Sequence, residues 1–595
     1  MFKFLFVVFT GILFFSTNIY PCTNILVTKG ASQDGSVMVT YSADSFELYG
    51  YLHHYPPAIY PYGTTKKIFD WDSGKYLLDI KEAERTYNVI GNINEFQVVI
   101  AETTFGGREE LKSEKGIDYG SLMYVTLQRA KSAREAIKIM TELVSEYGYS
   151  SKGESFSIAD KNEVWILEMI GKGDEKGAVW VAVKIPDGYI SAHANQARIT
   201  KFALNDSQNV IYSNDVISFA KKMGYFNGKD EDFSFADAYD PLTFKKIRVA
   251  DARVWSVFRR VNPEMNRYIS YIQGKTTERM PLYVKPEKKL SVKDVFELMR
   301  DHFEGTELDI SQDIGAGIYK SPYRPRPLYW EYKDSEYFNE RPISTYQTGF
   351  SFVSQSRSNL PDEIGGVLWF GVDDTFFTTY VPIYCSSREV PFEFSKEAGS
   401  ISKFSWDSAF WVLNAVSNFV IPRYSYTYRD VKMLQNQLEG EFLSDQSLVE
   451  KKALELYKKA SYDAIEFLTE YSKRLTAKMV SAYRLMFEEL MVKYVDGISK
   501  DEFFKPVNIG FPDEVKERIV RNDGLRYKVR KIPGQEKTDY ELYRNKLIKL
   551  LKEVRIKEAE ELLKKAQKDF PKDEFFKKQQ EKLDRIKSEL ERDLK

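Results

Sequence analysis

Cys22-Thr23-Asn24-Ile25-Leu26-Val27-Thr28-Lys29-Gly30 is the stretch on which the reading of this 595-residue chain turns. It reads as a strand, and the turn-rich run Gly30-Ala31-Ser32-Gln33-Asp34-Gly35 joins it to a second strand at 37–42. A cysteine stands at its head, directly after a hydrophobic leader. Cleavage at that point gives one residue both a thiol and a free α-amine. A deprotonated thiol is a good nucleophile, and an α-amine titrates near ~8, close enough to neutrality to serve as a general base. Those two groups are enough to start acyl transfer without a catalytic histidine.

Residues 1–21 read as a signal peptide or propeptide. Met1-Phe2-Lys3 is a short positive segment, residues 4–15 are almost wholly apolar, and residues 16–21 are more polar. An apolar run of that length suits a signal peptide and is short of the ~20 residues of a membrane span. Ile19 and Pro21 occupy positions where a small-x-small cleavage pattern is expected, which points to an upstream cut and later trimming to Cys22. Lipid attachment at Cys22 would consume the thiol, and Pro21 in place of Gly or Ala argues against it. The expected destination is outside the cytoplasm, periplasmic or extracellular, with membrane contact only if the leader is retained.

Composition narrows the classes. Lys and Arg number 86 against 87 Asp and Glu, a formal net charge of -1, so no global field draws nucleic acid or an acidic membrane. Cys22 and Cys385 are the two cysteines, which excludes a disulfide scaffold; a single bridge between them is the bland alternative. His53, His54, His193 and His302 show no metal-ligand spacing, so neither metal nor cofactor is expected.

From 22 to about 395 strand-like runs alternate with turns: 96–103, 155–170 with a break at 160–162, and 179–193. Residues 119–147 read as one helix with Ala133, Ile137, Met140 and Val144 on one face, and 292–303 as another. Grouped strands with segregated helices indicate an α+β fold. A mainly helical region follows over 396–535, with a long helical pattern at 448–495. Residues 536–595 read as a charged helical tail, in which 540–570 carries the stripe Leu551, Val554, Ala559, Leu562 and Ala566 and stops at Pro571. The Lys- and Glu-rich run 572–595 reads as a solvated face or frayed tail.

Several residues carry candidate chemistry. Asp44, at the end of the second strand, is placed to hold the cationic Cys22 amine. Thr103 and Thr104, ahead of Gly106-Gly107, offer hydroxyl or backbone donors to an oxyanion. Asn195 offers an amide donor of the type worth ~3 kcal/mol to a tetrahedral oxyanion. Arg253 is a candidate for a substrate carboxylate. His193 reads as structural.

The run 22–44 resembles the start of the C69 dipeptidases, the dipeptidase A family of N-terminal-nucleophile hydrolases. So do 102–109, 153–168, 192–199, Asp240-Pro241-Leu242-Thr243-Phe244 leading into Arg253-Val254-Trp255, Leu360-Pro361-Asp362 with Gly365-Gly366, 369–374 and 381–385. The resemblance implies an αββα four-layer sandwich with two antiparallel sheets, and hydrolysis of dipeptides or short peptides through Cys22. Relatives in the wider clan usually carry an arginine three residues before the aspartate matched by Asp44; here that position is Tyr41. Two other classes stand beside this one: a related amidase acting on N-acyl amino acids or bile-salt-like amides, and a non-catalytic envelope-anchored interaction protein. The C-terminal helices are candidates for packing on the hydrolase part, covering the cleft or building a homo-oligomer.

Overall fold

The computed structural model describes residues 22–324, 328–530, 539–553 and 555–593; the expected leader lies outside the described residues. The chain divides into two compact units, one up to Ile509 and one from Gly510.

The first unit is built on two antiparallel sheets. The seven-stranded sheet runs in the order Tyr283–Val284, Ile190–His193, Asn24–Val27, Met38–Asp44, Thr348–Ser356, Gly366–Val372 and Val381–Tyr384. The eight-stranded sheet runs Val210–Tyr212, Glu175–Lys184, Val164–Lys172, Gly153–Ala159, Val99–Gly106, Ile93–Asn94, Val89–Ile90 and His54–Tyr55. Apolar residues of both, among them Ile25, Val39, Ala101 and Ile166, share one buried cluster. The alternate residues of the second sheet, Ile100, Phe156, Ile158 and Leu167, pack instead with helices Tyr119–Leu127 and Ala133–Tyr147, as a strand period of two requires. Helices Ala409–Val420, Tyr424–Tyr457 and Ser461–Tyr494 contribute Val412, Val431 and Leu468 to the cluster of the first sheet. The fold is α+β. No helix among the described residues is long and apolar enough to cross a membrane.

The expected strands at 22–28 and 37–42 form as a neighbouring pair, and Ala133, Ile137, Met140 and Val144 are buried on one helix. Several long readings break in two. Residues 119–147 are two helices, because the Asn94 side chain takes the carbonyls of Leu127 and Ala130 at the end of the first, and the Ser132 hydroxyl caps the second. Residues 179–193 are two strands in different sheets, divided at a turn where Gly188 has φ 85°. The helix expected at 292–303 ends at Met299, short of Phe303, whose φ is 66°. Residues 448–495 span the end of one 34-residue helix and all of a second, joined at residues 458–460. Residues 540–570 are likewise the helices Asp539–Lys552 and Ile556–Asp569; Val554 lies outside the described residues. In 119–147, 448–495 and 540–570 an apolar period runs on across the break, since both helices contribute to the same buried cluster. Cys22 and Cys385 are both buried and free, so no bridge joins them.

Among the described residues the second unit holds the helices Asp513–Tyr527, Asp539–Lys552, Ile556–Asp569 and Glu574–Asp593. Leu547, Leu551, Ala559, Leu563, Ala566, Phe576 and Leu583 make its core. The Lys- and Glu-rich run is therefore helical over Glu574–Asp593 and buries Phe576 and Leu583.

Candidate active site

Cys22 enters the first strand of the seven-stranded sheet and is 4% exposed. Its Sγ lies 3.9 Å from the Tyr41 hydroxyl and 3.9 Å from Glu102 Oε1. Tyr41 comes from the adjacent strand, and its hydroxyl donates to Glu102 Oε1 at 2.5 Å. Glu102 belongs to the other sheet. The link between the sheets is Asn24: with its amide oriented to match its neighbours, it donates to Glu102 O at 3.1 Å and accepts from Glu102 N at 3.3 Å. Thr103 and Ser157 add a second tie, since both hydroxyls meet the His193 ring at 2.7 Å.

Arg253 is the hub behind the cysteine. The chain winds as a π-helix over Ile247–Asp251 directly before the helix Ala252–Val261, which brings the Arg253 guanidinium inward. It donates to Cys22 O at 2.7 Å, Thr23 Oγ1 at 2.8 Å, Ala194 O at 3.1 Å and Asn195 Oδ1 at 2.7 Å. The donation into Oδ1 fixes the orientation of the Asn195 amide, whose Nδ2 then donates to Thr104 O at 2.8 Å. Asn195 itself has φ 65°, a conformation that asparagine tolerates better than most residues.

A cavity of about 330 Å³ opens at the thiol. Cys22, Tyr41, Asp44 and Glu102 line it on one side, and Tyr49, Tyr51, His53, Trp71, Tyr119 and Tyr124 supply a largely aromatic wall. A second cavity of about 400 Å³ is lined by Thr104, Gly106, Gly107, Glu154 and Asn195, and Asp72 borders both.

The electrostatics are unusual for a cysteine site. Burial pushes the Cys22 thiol up, and the Glu102 and Asp44 carboxylates push it further. Burial also raises the Glu102 and Glu154 carboxyls, which face each other and hydrogen bond only when one carries a proton. Burial holds His193 and His53 down to about 3, so both rings are neutral near pH 7. The proton of the thiol must therefore go to a base other than these histidines. No group of three or more His, Cys, Asp or Glu among the described residues is arranged to hold a metal ion.

The residues singled out in the sequence divide by position. Cys22 and Asp44 line the first cavity, Thr104 and Asn195 the second. Thr103 directs its hydroxyl to His193. Arg253, fully buried, grips Cys22 and Asn195. Asp44 already holds two donors, Arg341 Nη2 at 2.6 Å and Thr348 Oγ1 at 2.7 Å. Sequence reasoning passed over Glu102, Asp72, Arg341 and the aromatic wall. Glu102 had a readable signal, a lone carboxylate within the otherwise uncharged run 98–106. Asp72, Trp71, Tyr49, Tyr51 and His53 come from loops, and Tyr119 and Tyr124 from a helix, and their spacing in sequence carries none.

A sequence model of peptidase family C69 matches residues 48–437, a span that begins after Cys22. The chain is similar to a probable dipeptidase of Latilactobacillus sakei, 26% identical over 79% of this chain and 95% of the relative. It is also similar to a probable dipeptidase of Salmonella dublin, 28% identical over 62% of this chain and 82% of the relative. Dipeptidase A of Lactobacillus helveticus is 25% identical over 66% of this chain and 80% of its own length. With the family match covering well over half of the chain, the protein belongs to peptidase family C69 and is an enzyme, a peptidase.

Proposed function

We propose that the protein is an exported cysteine dipeptidase of the N-terminal-nucleophile type, with Cys22 as nucleophile after removal of residues 1–21. The observation that carries this reading is the thiol at the mouth of a 330 Å³ cavity, tied by one arginine to the asparagine beside it. The names of the relatives support a dipeptide substrate. Two antiparallel sheets sharing a core, with helices packed against each, support the αββα sandwich as the architecture.

In the proposed reaction the Cys22 α-amine takes the thiol proton, directly or through water, and the thiolate attacks the peptide carbonyl. The resulting ammonium protonates the leaving amine, and water hydrolyses the thioester. Asn195 and a donor from Thr103–Thr104, near the end of the strand Val99–Gly106, stabilise the oxyanion. Arg253 positions Cys22 and Asn195, and Asp44, held by Arg341, stands beside the amine. Export to the periplasm or cell exterior accompanies this maturation.

N-terminal sequencing with intact mass on protein recovered from its native export route tests the reading. A chain beginning at unmodified Cys22 is expected. A chain that retains its leader, or that bears lipid on Cys22, removes the proposed base and overturns the mechanism.

A further inference from the structure

The α-amino nitrogen of a dipeptide stands two bonds from the scissile carbonyl carbon, about 2.5 Å away. A group that grips this nitrogen must lie close to the nucleophile. Glu102 does: its Oε1 is 3.9 Å from Cys22 Sγ, and it lines the same cavity. Its side chain is 1% exposed, and Oε2 is buried with no hydrogen-bond partner among the described residues. Glu154 on the adjacent strand is equally buried and faces Glu102, and among the described residues no Lys or Arg is bonded to either carboxyl. Asp72 closes the group where the two cavities meet. Among the described residues no Lys or Arg lines the cavity at Cys22. Asp44, the nearby carboxylate with a cationic partner, is held by Arg341. An unpaired buried carboxylate facing an aromatic-walled cavity fits a cation of the size of an alkylammonium.

We propose that Glu102, backed by Glu154 and flanked by Asp72, binds the free α-ammonium group of the substrate, so that the site selects peptides with an unblocked amino terminus. This rests on the reading of Cys22 as nucleophile and deepens it. Two facing buried carboxyls favour sharing one proton, because burial opposes the charge of each and each charge opposes the other. The arriving ammonium supplies a positive charge, and the shared proton leaves to solvent.

Calorimetric binding of alanyl-alanine and of N-acetyl-alanyl-alanine to the Cys22→Ala protein at pH 7, in two buffers of different ionisation enthalpy, tests this. The acetylated peptide is expected to bind roughly 10- to 100-fold more weakly, the worth of a charge-assisted hydrogen bond. The free-amine peptide is expected to release protons on binding. Adding Glu102→Gln erases both the preference and the proton release, and Glu154→Gln erases the proton release. Equal binding of the two peptides overturns the proposal, and that comparison needs no change at Glu102. So does a preference that survives Glu102→Gln in folded protein. Turnover separates the two readings: full activity in Cys22→Ala sinks the nucleophile, whereas an inactive Cys22→Ala protein whose preference survives Glu102→Gln sinks the ammonium site alone.

Discussion

Two of the groups of buried charge in the first unit are built in opposite ways. Where the long helices meet the seven-stranded sheet, cations and anions are matched. Arg300 pairs with Glu439, and Arg357 donates through both terminal nitrogens to Glu450, at 2.8 and 2.6 Å. At the cleft, Glu102 and Glu154 stand side by side with their Oε2 atoms unpartnered. A matched buried pair loses hydration but regains it in Coulomb attraction and hydrogen bonds, and its directionality fixes how the helices seat. Adjacent buried carboxyls keep hydrogen bonds, such as that from Tyr41 to Glu102, but have no Coulomb attraction to set against their lost hydration, so they burden stability. Such a burden is retained where a ligand or a reacting group uses it. The seam is charge kept for structure; under the proposed function, the cleft is charge kept for chemistry.

The largest effect falls at the cleft. Cys22→Ala is expected to lower dipeptide turnover by roughly 10⁴-fold or more while leaving the circular dichroism spectrum and urea midpoint in place. Persistent turnover would remove the chemical half of the contrast. Arg357→Met at the seam strands Glu450 without its partner and should cost about 3–5 kcal/mol in urea unfolding. The double change with Glu450→Met should recover most of that loss; if the single and double changes cost the same, the seam is not held by pairing. Glu102→Gln, its counterpart in the cleft, should leave stability at pH 8 unchanged or raised, because the folded carboxyl resists an ionisation that the unfolded chain undergoes freely.

Smaller effects sharpen the picture. Asn195→Ala should lower kcat by about 10²- to 10³-fold with a lesser change in KM, as loss of an oxyanion donor does. A change confined to KM would assign Asn195 to binding. At the seam Asp373 makes no ion pair among the described residues, and accepts from Asn414 Nδ2 and Ser417 Oγ, both at 2.7 Å. Burial raises it from 3.8 to about 7. Between those values the folded chain keeps a proton that the unfolded chain has lost, so stability falls as pH rises through the window. Asp373→Asn should flatten that slope by an amount on the order of a few kcal/mol, read from urea midpoints at pH 4 and pH 8. An unchanged slope would mean that Asp373 ionises as freely in the folded chain as in the unfolded one.

Local pattern was legible wherever burial follows a simple period. The strands around Cys22 and the buried face Ala133, Ile137, Met140 and Val144 emerge from hydrophobic order alone. The helix breaks did not, because Asn94 and Ser132, which stop one helix and start the next, act through hydrogen bonds to backbone groups and leave the apolar period intact. At the site, Cys22 and Asn195 stood out by residue type and context. Arg253 stood out too, but as a ligand for substrate; its side chain instead spans Cys22 and Asn195 from within the core.

Taken by itself, the sequence determined the α+β class, the family and the cysteine on which the proposed chemistry depends, since these reside in local patterning and in the order of short motifs. Tertiary structure decided the environment of that cysteine. Glu102 and Glu154 become neighbours because Thr104 pairs with Glu154 across adjacent strands, which places the two carboxyls diagonally on one face. Tyr41 meets Glu102 because Asn24 ties two different sheets together at that level. Strand register and sheet-to-sheet contact depend on the packing of the whole unit, and no single segment encodes them.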